Sequence, residues 1–418
     1  MKQNETLYTR RTFIKKSLTV AAVSATIPTF LTRTAFALNN PFENSLLSSR
    51  PGIPDDRVLI VVQLSGGNDG LNTVIPYRND YYYRLRPTLA IPQKNILPLN
   101  DDLGLPPEMT AFKSLYDDGL LGVIHGVGYP NPDRSHFRSM EIWQTGVVDD
   151  YERSGWIGRL FDHTCGNAHL TSCSPTLGVE VGNFLTPAFA NENGIGVAVQ
   201  NPQQLYKMEK LYGGSRLDFP NPATEGSPLD FLRRTAMNAA ISAERINKAV
   251  RKTQNKADYP GTRFAKGLKL IAGMIAGGLD TKVYYISIGG FDTHANQMGT
   301  HERLLKTVSY AIAAFQKDIE QLGQSDRVLG LVFSEFGRRV AENDSRGTDH
   351  GQAAPMFVFG KPVQAGLIGT YPSLEHLSDG DLKFHIDFRS VYATILDDWL
   401  KADSAAILGN SFEKIPLI

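Results

Sequence analysis

Two cysteines are all that the 418-residue chain contains. Neither lies beside the polar clusters described below, so a soft-metal or iron–sulfur centre there would lack its thiolates. Charge of one sign is also missing. The 43 basic and 43 acidic residues cancel, and no bulk electrostatics favours nucleic acid. No low-complexity tract interrupts the chain, and hydrophobic residues make up 42% of it, as in an ordinary globular protein. The apolar run from Leu18 to Phe30 is too short for a stable membrane span and has Pro28 inside it.

Near the middle stands Val283-Tyr-Tyr-Ile-Ser-Ile-Gly-Gly-Phe-Asp-Thr-His294. Its apolar start shows no polar alternation and predicts a strand buried on both faces. The glycine pair permits a sharp turn without a Cβ penalty. Asp292 and His294 then fall just past the strand's carboxyl end, where α/β sheets bind ligands. Arg327 to Phe333 repeats the pattern and leads into Ser334-Glu335-Phe336-Gly337-Arg338. Between the two strands, Leu304, Leu305, Val308, Ala311, Ile312, Phe315, Ile319 and Leu322 recur at helical spacing from about Met298 to Leu322. Strand, helix, strand makes a βαβ unit, so Asp292, His294 and Glu335 should leave the sheet on one edge. A third loop, Arg346 to Gly351, offers Asp349 and His350 before an apolar run at Met356 to Phe359.

The first strand, Arg57 to Leu64, runs into Ser65-Gly66-Gly67-Asn68-Asp69-Gly70. That stretch matches neither the dinucleotide fingerprint nor the P-loop. It reads either as turn chemistry or as a third ligand-bearing loop with Asp69. After a strand at Leu121 to His125, Asp133 or Ser135 should cap a helix carrying Phe137, Met140, Ile142 and Trp143. A helix start supplies free N–H groups for an anion. Ser135, His136, Arg134 and Arg138 are the side-chain types that such a site uses. The plainer reading makes Ser135 only a cap and leaves the arginines solvated.

Thr9-Arg10-Arg11-Thr12-Phe13-Ile14-Lys15, the apolar run and Ala35-Phe36-Ala37 together read as a twin-arginine signal with a small-x-small cleavage site. Residues 1–37 are then a signal peptide, which implies the twin-arginine translocase as a partner and a periplasmic or otherwise exported location. Residues 38–56 read as a linker and residues 57–418 as one α/β domain. About 165–259 carry no ligand cluster and read as a peripheral helical insertion or cap. Cys165 and Cys173 leave three readings: a local disulfide, a Cys/His site with His163 and His169, or free thiols. His376 and His385 read as structural.

The predicted fold is a mostly parallel central sheet flanked by helices. If its polar loops converge, the mixed carboxylate and imidazole set suits Zn²⁺ or Mn²⁺ better than Mg²⁺ or Ca²⁺. Two ions roughly 3.5–4 Å apart could clamp an in-line displacement at phosphorus or sulfur. Ser135, with Ser65 behind it, is the candidate nucleophile. Arg134, Arg138 or Arg338 could neutralise a small anionic ester.

Several motifs carry a family resemblance. They are Leu64 to Asn72, Ser135-His-Phe-Arg-Ser-Met-Glu-Ile-Trp143, Gly290-Phe-Asp-Thr-His294, Ser334-Glu-Phe-Gly-Arg338 and Gly347-Thr-Asp-His-Gly351. On these the chain resembles the domain-of-unknown-function 1501 family of exported bacterial proteins. That family is similar to the metal-dependent alkaline phosphatase and sulfatase superfamily. The resemblance implies an alkaline-phosphatase-like fold, Asp292 and His294 at one metal position, Glu335 at the other, and His350 as the late histidine. Two departures stand against a full two-ion site. Glu335-Phe336 replaces the superfamily's adjacent Asp-His, and Ser65 stands where an acid follows the first strand. One ion, two ions or none are the alternatives. The functions implied are an exported metal-dependent hydrolase of phosphate or sulfate esters, or a non-catalytic exported binding or assembly protein with a degenerate site. A third is a solute receptor that holds an anion without chemistry.

Overall fold

The computed structural model describes residues 56–166, 173–192, 194–212 and 228–418. The signal peptide expected at 1–37, and all of the expected linker but Asp56, lie outside the described residues. The chain divides into two compact units, a larger one of Leu47–Gln200 with Lys248–Ile418 and a smaller one that holds Asn201–Asn247. Among the described residues, no helix is long and apolar enough to cross a membrane.

In chain order the larger unit begins with β1 (Val58–Ser65), α1 (Asp80–Leu85), the short pair β2 (Leu97–Pro98) and β3 (Gly104–Leu105), and α2 (Thr110–Asp117). Then come β4 (Leu121–Gly128), α3 (His136–Thr145), α4 (Trp156–Cys165), β5 (Gly178–Val181) and β6 (Val197–Ala198). Helix α5 (Pro202–Tyr212) and most of α6 (Pro228–Lys252) belong to the smaller unit, and the larger one continues with α7 (Arg263–Ala276), β7 (Val283–Gly289), α8 (Gln297–Gln321) and β8 (Val328–Ser334). The chain closes with β9 (Ala354–Phe359), β10 (Gly366–Ile368), β11 (Ile386–Asp387), α9 (Phe388–Thr394) and α10 (Ser404–Leu408).

One mixed, mostly parallel sheet organises the larger unit, in the order β10-β4-β9-β8-β1-β7-β5-β6, with β11 also paired to β4. Only β9 runs against its neighbours β4 and β8. The βαβ unit read from the sequence is present with a twist: β1 sits between β7 and β8, parallel to both. β5 and β6 extend this sheet from within the segment read as an insertion.

Register aligns the strand ends. Ser65 pairs with Gly289, and Leu64 with Ser334, so the loops after β1, β7 and β8 leave from one edge. β4 opposes β9, and β9 opposes β8. The loop after β4 therefore exits at that same edge, and the loop ahead of β9 enters from it.

Burial explains why these segments are strands. Val58 through Leu64 are buried throughout, with no wet face to pattern. β7 departs from the expectation of full burial: Val283–Ile286 are buried, but Ser287 to Gly289 emerge toward the surface. Its last residues form the edge itself. On α8, Leu305, Val308, Ala311, Ile312, Phe315 and Ile319 are buried as their spacing predicts, while Leu304 and Leu322 are only half-buried. Asp318 of α8 is buried too. It accepts from Asn255 Nδ2, the Lys256 and Ala257 N–H groups and Tyr259 Oη, which pins the segment ahead of α7. Cys165 and Cys173 are joined in a disulfide.

Candidate metal centre

Three imidazoles, from one helix and two loops, converge on a single atom, Asp292 Oδ1. His136 Nε2 lies 3.3 Å from it, His294 Nε2 3.0 Å and His350 Nε2 3.2 Å. His136 is the first residue of α3, Asp292 and His294 follow β7, and His350 precedes β9. The cluster stays open to solvent, with Asp292 and His294 each close to half exposed.

The far side of each imidazole is tied down. His136 Nδ1 lies 2.9 Å from Glu335 Oε1, His294 Nδ1 3.4 Å from Asp349 Oδ1, and His350 Nδ1 2.7 Å from the Arg134 carbonyl oxygen. A carbonyl only accepts, so His350 carries its proton on Nδ1 and turns a lone pair inward. The carboxylates behind His136 and His294 favour the same tautomer. His294 Nε2 and His350 Nε2 then face each other at 2.9 Å as two acceptors. Such an arrangement is repulsive unless a metal cation or a shared proton lies between them.

Histidine ligands that hand their second ring N–H to a carboxylate or carbonyl are the usual outer shell of a metal site. For ligand atoms about 2.0–2.1 Å from a tetrahedral ion, neighbouring donors stand about 3.3 Å apart. The separations from Asp292 Oδ1 match, and within the set His136, Asp292 and His350 offer ligand atoms that lie within 4.8 Å of one another. The residues present therefore fit one divalent ion.

Electrostatics favours this picture. Burial pushes Asp292 up, but the hydrogen bond and charge of Arg338 outweigh it and hold the carboxyl well below the usual range. Its hydrogen bond to Glu335 raises His136, while burial lowers His350. A hydrogen bond from Asn343 lowers Asp349.

Backbone geometry sets the loops. Gly66 has φ +121°, and a Cβ there would lie 2.3 Å from the Asp292 nitrogen. Its N–H donates to Glu335 Oε1 at 2.8 Å, so the β1 loop fixes the carboxylate that orients His136. Gly347 is as tightly packed, since a Cβ would stand 2.2 Å from the His294 carbonyl carbon.

The remaining candidates from the sequence are placed differently. Glu335 stands behind His136 rather than in the cluster, and Asp349 stands behind His294. Asp69 is fully buried in an ion pair with Arg86 at 2.6 Å and accepts from Gln297 Nε2. Burial acts to raise its pKa, and the Arg86 charge overrides this and lowers it. Asp69 is committed to that pair and contributes nothing to the cluster. Arg338 has no exposed side-chain surface. It donates to the carbonyls of Gly66, Gly67, Phe291 and Thr348 and, at 2.7 Å, to Asp292 Oδ1. It can act on an ester only through Asp292. Arg138 turns away to the Val148 and Asp150 carbonyls and to Glu141. Ser135 is exposed at the N-cap of α3, with its N–H on Asp133 Oδ1 and no capping bond from its side chain. Arg86 had no sequence signal, because its partner lies 17 residues away in the β1 loop. A cavity of about 650 Å³ lined by Arg78, His125 and Tyr371 includes no cluster residue.

Fold and site define an α/β protein with a candidate metal centre at the carboxyl edge of a mostly parallel sheet. The family model described as "Protein of unknown function (DUF1501)" matches residues 125–403. The chain belongs to that family. Among solved structures it is similar to an alkaline phosphatase superfamily protein from Vibrio parahaemolyticus, at 14% identity over 91% of this chain and 76% of that one, TM-score 0.35. It is also similar to the PsFucS1 sulfatase from Pseudoalteromonas sp., at 10% identity over 94% and 72%, TM-score 0.33. A third is the lipoteichoic acid synthase LtaP from Listeria monocytogenes, at 10% identity over 83% and 73%, TM-score 0.32. No protein of curated function matches the chain.

Proposed function

We propose that the chain is an exported, metal-dependent hydrolase of phosphate or sulfate esters. The observation that carries this reading is the set of three imidazole Nε2 atoms within 3.3 Å of Asp292 Oδ1, each ring anchored from behind. His136, Asp292, His294 and His350 would hold one divalent ion, and three nitrogen donors favour zinc or manganese over magnesium or calcium. When bound, the ion supplies Lewis-acid polarisation of the ester and acidifies a water or hydroxyl.

The chain's own groups do the rest. Glu335, Asp349 and the Arg134 carbonyl hold the imidazoles in the tautomer that binds. Arg338 keeps Asp292 ionised and in place. The start of α3 leaves backbone N–H groups without a side-chain cap, and its positive dipole end favours the anionic part of an ester beside His136. Ser135, exposed at that start and directly before His136, is the candidate hydroxyl nucleophile. The sequence of the N-terminus supports export through the twin-arginine translocase.

The test pairs metal analysis of the purified protein with Asp292→Ala and His350→Ala. Wild type should bring down about one equivalent of zinc or manganese and turn over a phospho- or sulfo-ester, and both variants should lose metal and turnover. Equal metal content and equal turnover in wild type and variants would reject the assignment. One observation favours the non-catalytic alternative: Arg338 already supplies Asp292 Oδ1 with a cation at 2.7 Å. A protein that purifies metal-free, takes up no added zinc or manganese and is inactive on both ester classes would establish it.

A further inference from the structure

Phe137 is 91% exposed, the most exposed large apolar side chain among the described residues. It is the second residue of α3, directly after His136, whose Nε2 faces Asp292. Leaving a phenylalanine in water forgoes the free energy that burying its ring would return. None of the described residues covers it. Tyr151, 76% exposed, is carried against the next residue, with the Arg138 guanidinium 4.4 Å from its ring centre. Arg138 is itself fixed by the Val148 and Asp150 carbonyls, so this second ring is anchored beside the same helical turn.

The surroundings decide what these rings serve. Ser135, Asp149, Asp150, Glu152 and Arg153 around them are exposed and polar. A stable protein interface wants a contiguous apolar core with few charges, and two isolated rings in a charged rim do not supply one. Isolated rings beside a reactive centre fit the flat face of a small ligand.

We propose that Phe137, on the helical turn that also anchors Tyr151, is the specificity surface for the organic half of the ester, and that this half is a ring with an apolar face that stacks on phenylalanine, aromatic or pyranose, attached at the ester oxygen. The inference rests on the metal-dependent ester reading and deepens it.

Calorimetric titration of the zinc-loaded protein tests it with matched pairs: phenylphosphonate against methylphosphonate, benzenesulfonate against methanesulfonate, and glucose 1-phosphate against glycerol 3-phosphate. The ring-bearing member should bind roughly 3- to 10-fold more tightly in at least one pair. A preference in the first two pairs identifies an aromatic group, and one in the third identifies a sugar. Phe137→Ala should bring that ratio to about 1 while leaving the ringless ligand and the metal content unchanged, and Phe137→Trp should retain it. Equal binding within every pair in wild type, or a ratio that survives Phe137→Ala, overturns the inference and leaves the ester reading standing. If none of the six ligands binds a protein that holds its metal, the ester reading itself falls.

Discussion

Glu335 Oε1 accepts a hydrogen bond from the Gly66 N–H at 2.8 Å and lies 2.9 Å from His136 Nδ1. One carboxylate thus connects the loop after β1, the end of β8 and the first residue of α3. On the proposed reading it orients the ligand His136 and is not itself a ligand. Glu335→Ala should therefore weaken metal binding about 10- to 100-fold without abolishing it, the usual cost of losing an outer-shell partner. His136→Ala should be the more severe change. Zinc titration against a competing chelator separates the two, and equal loss in both variants would place Glu335 in the inner shell instead.

Removing the metal should also cost stability. Three imidazoles and a carboxylate whose acceptor atoms face one another are held together more favourably with a cation between them. An ion at 100 times its dissociation constant stabilises the folded state by about 2.7 kcal/mol. Thermal melts with and without a chelator should differ by several degrees in wild type and by nothing in Asp292→Ala. Equal melting of loaded and stripped wild type would contradict this.

The extent to which the sequence disclosed this site follows from its physics. Apolar runs ending in Gly-Gly or Ser-Glu mark β1, β7 and β8, because strands buried on both faces leave no polar alternation. The acid and histidine after β7 inherit their place from that. Which strand neighbours which is set by long-range register, and β1 lies between β7 and β8 without any local sign of it. The reversal of β9, which brings His350 to the edge, is equally silent. Ligand and supporter cannot be told apart from composition: Glu335 and Asp292 are both acids past a strand end, and only side-chain direction distinguishes them. From the sequence Arg338 is a candidate to neutralise an anionic ester, yet five acceptors hold it inside.

The Asp69–Arg86 pair tests the scaffold independently of the metal. Both side chains have no exposed surface, and Arg86 also donates to the Val340 and Arg339 carbonyls. Arg86→Met would strand a buried carboxylate and should cost roughly 3–5 kcal/mol in denaturant unfolding. Asp69→Asn in the same background removes the stranded charge and should recover a good part of that loss. A double variant no better than Arg86→Met would show that the carbonyl contacts, not the ion pair, set the cost.

Glu180 of β5 gives a pH signature away from the cluster. Burial lifts its carboxyl from 4.5 to about 7, against the Thr186 N–H bond, which pulls it down. An acid with a raised folded pKa keeps a proton that the unfolded chain has already lost. Between about pH 4.5 and 7 the folded state binds more protons, so stability falls as pH rises through that window and stays lower above it. Glu180→Gln keeps an acceptor for the Thr186 N–H and carries no charge at any pH. It should melt like wild type near pH 4.5 and be more stable at pH 8 by up to roughly 3 kcal/mol. Parallel melting curves for the two proteins across the whole range would mean that Glu180 ionises in the fold as readily as in water.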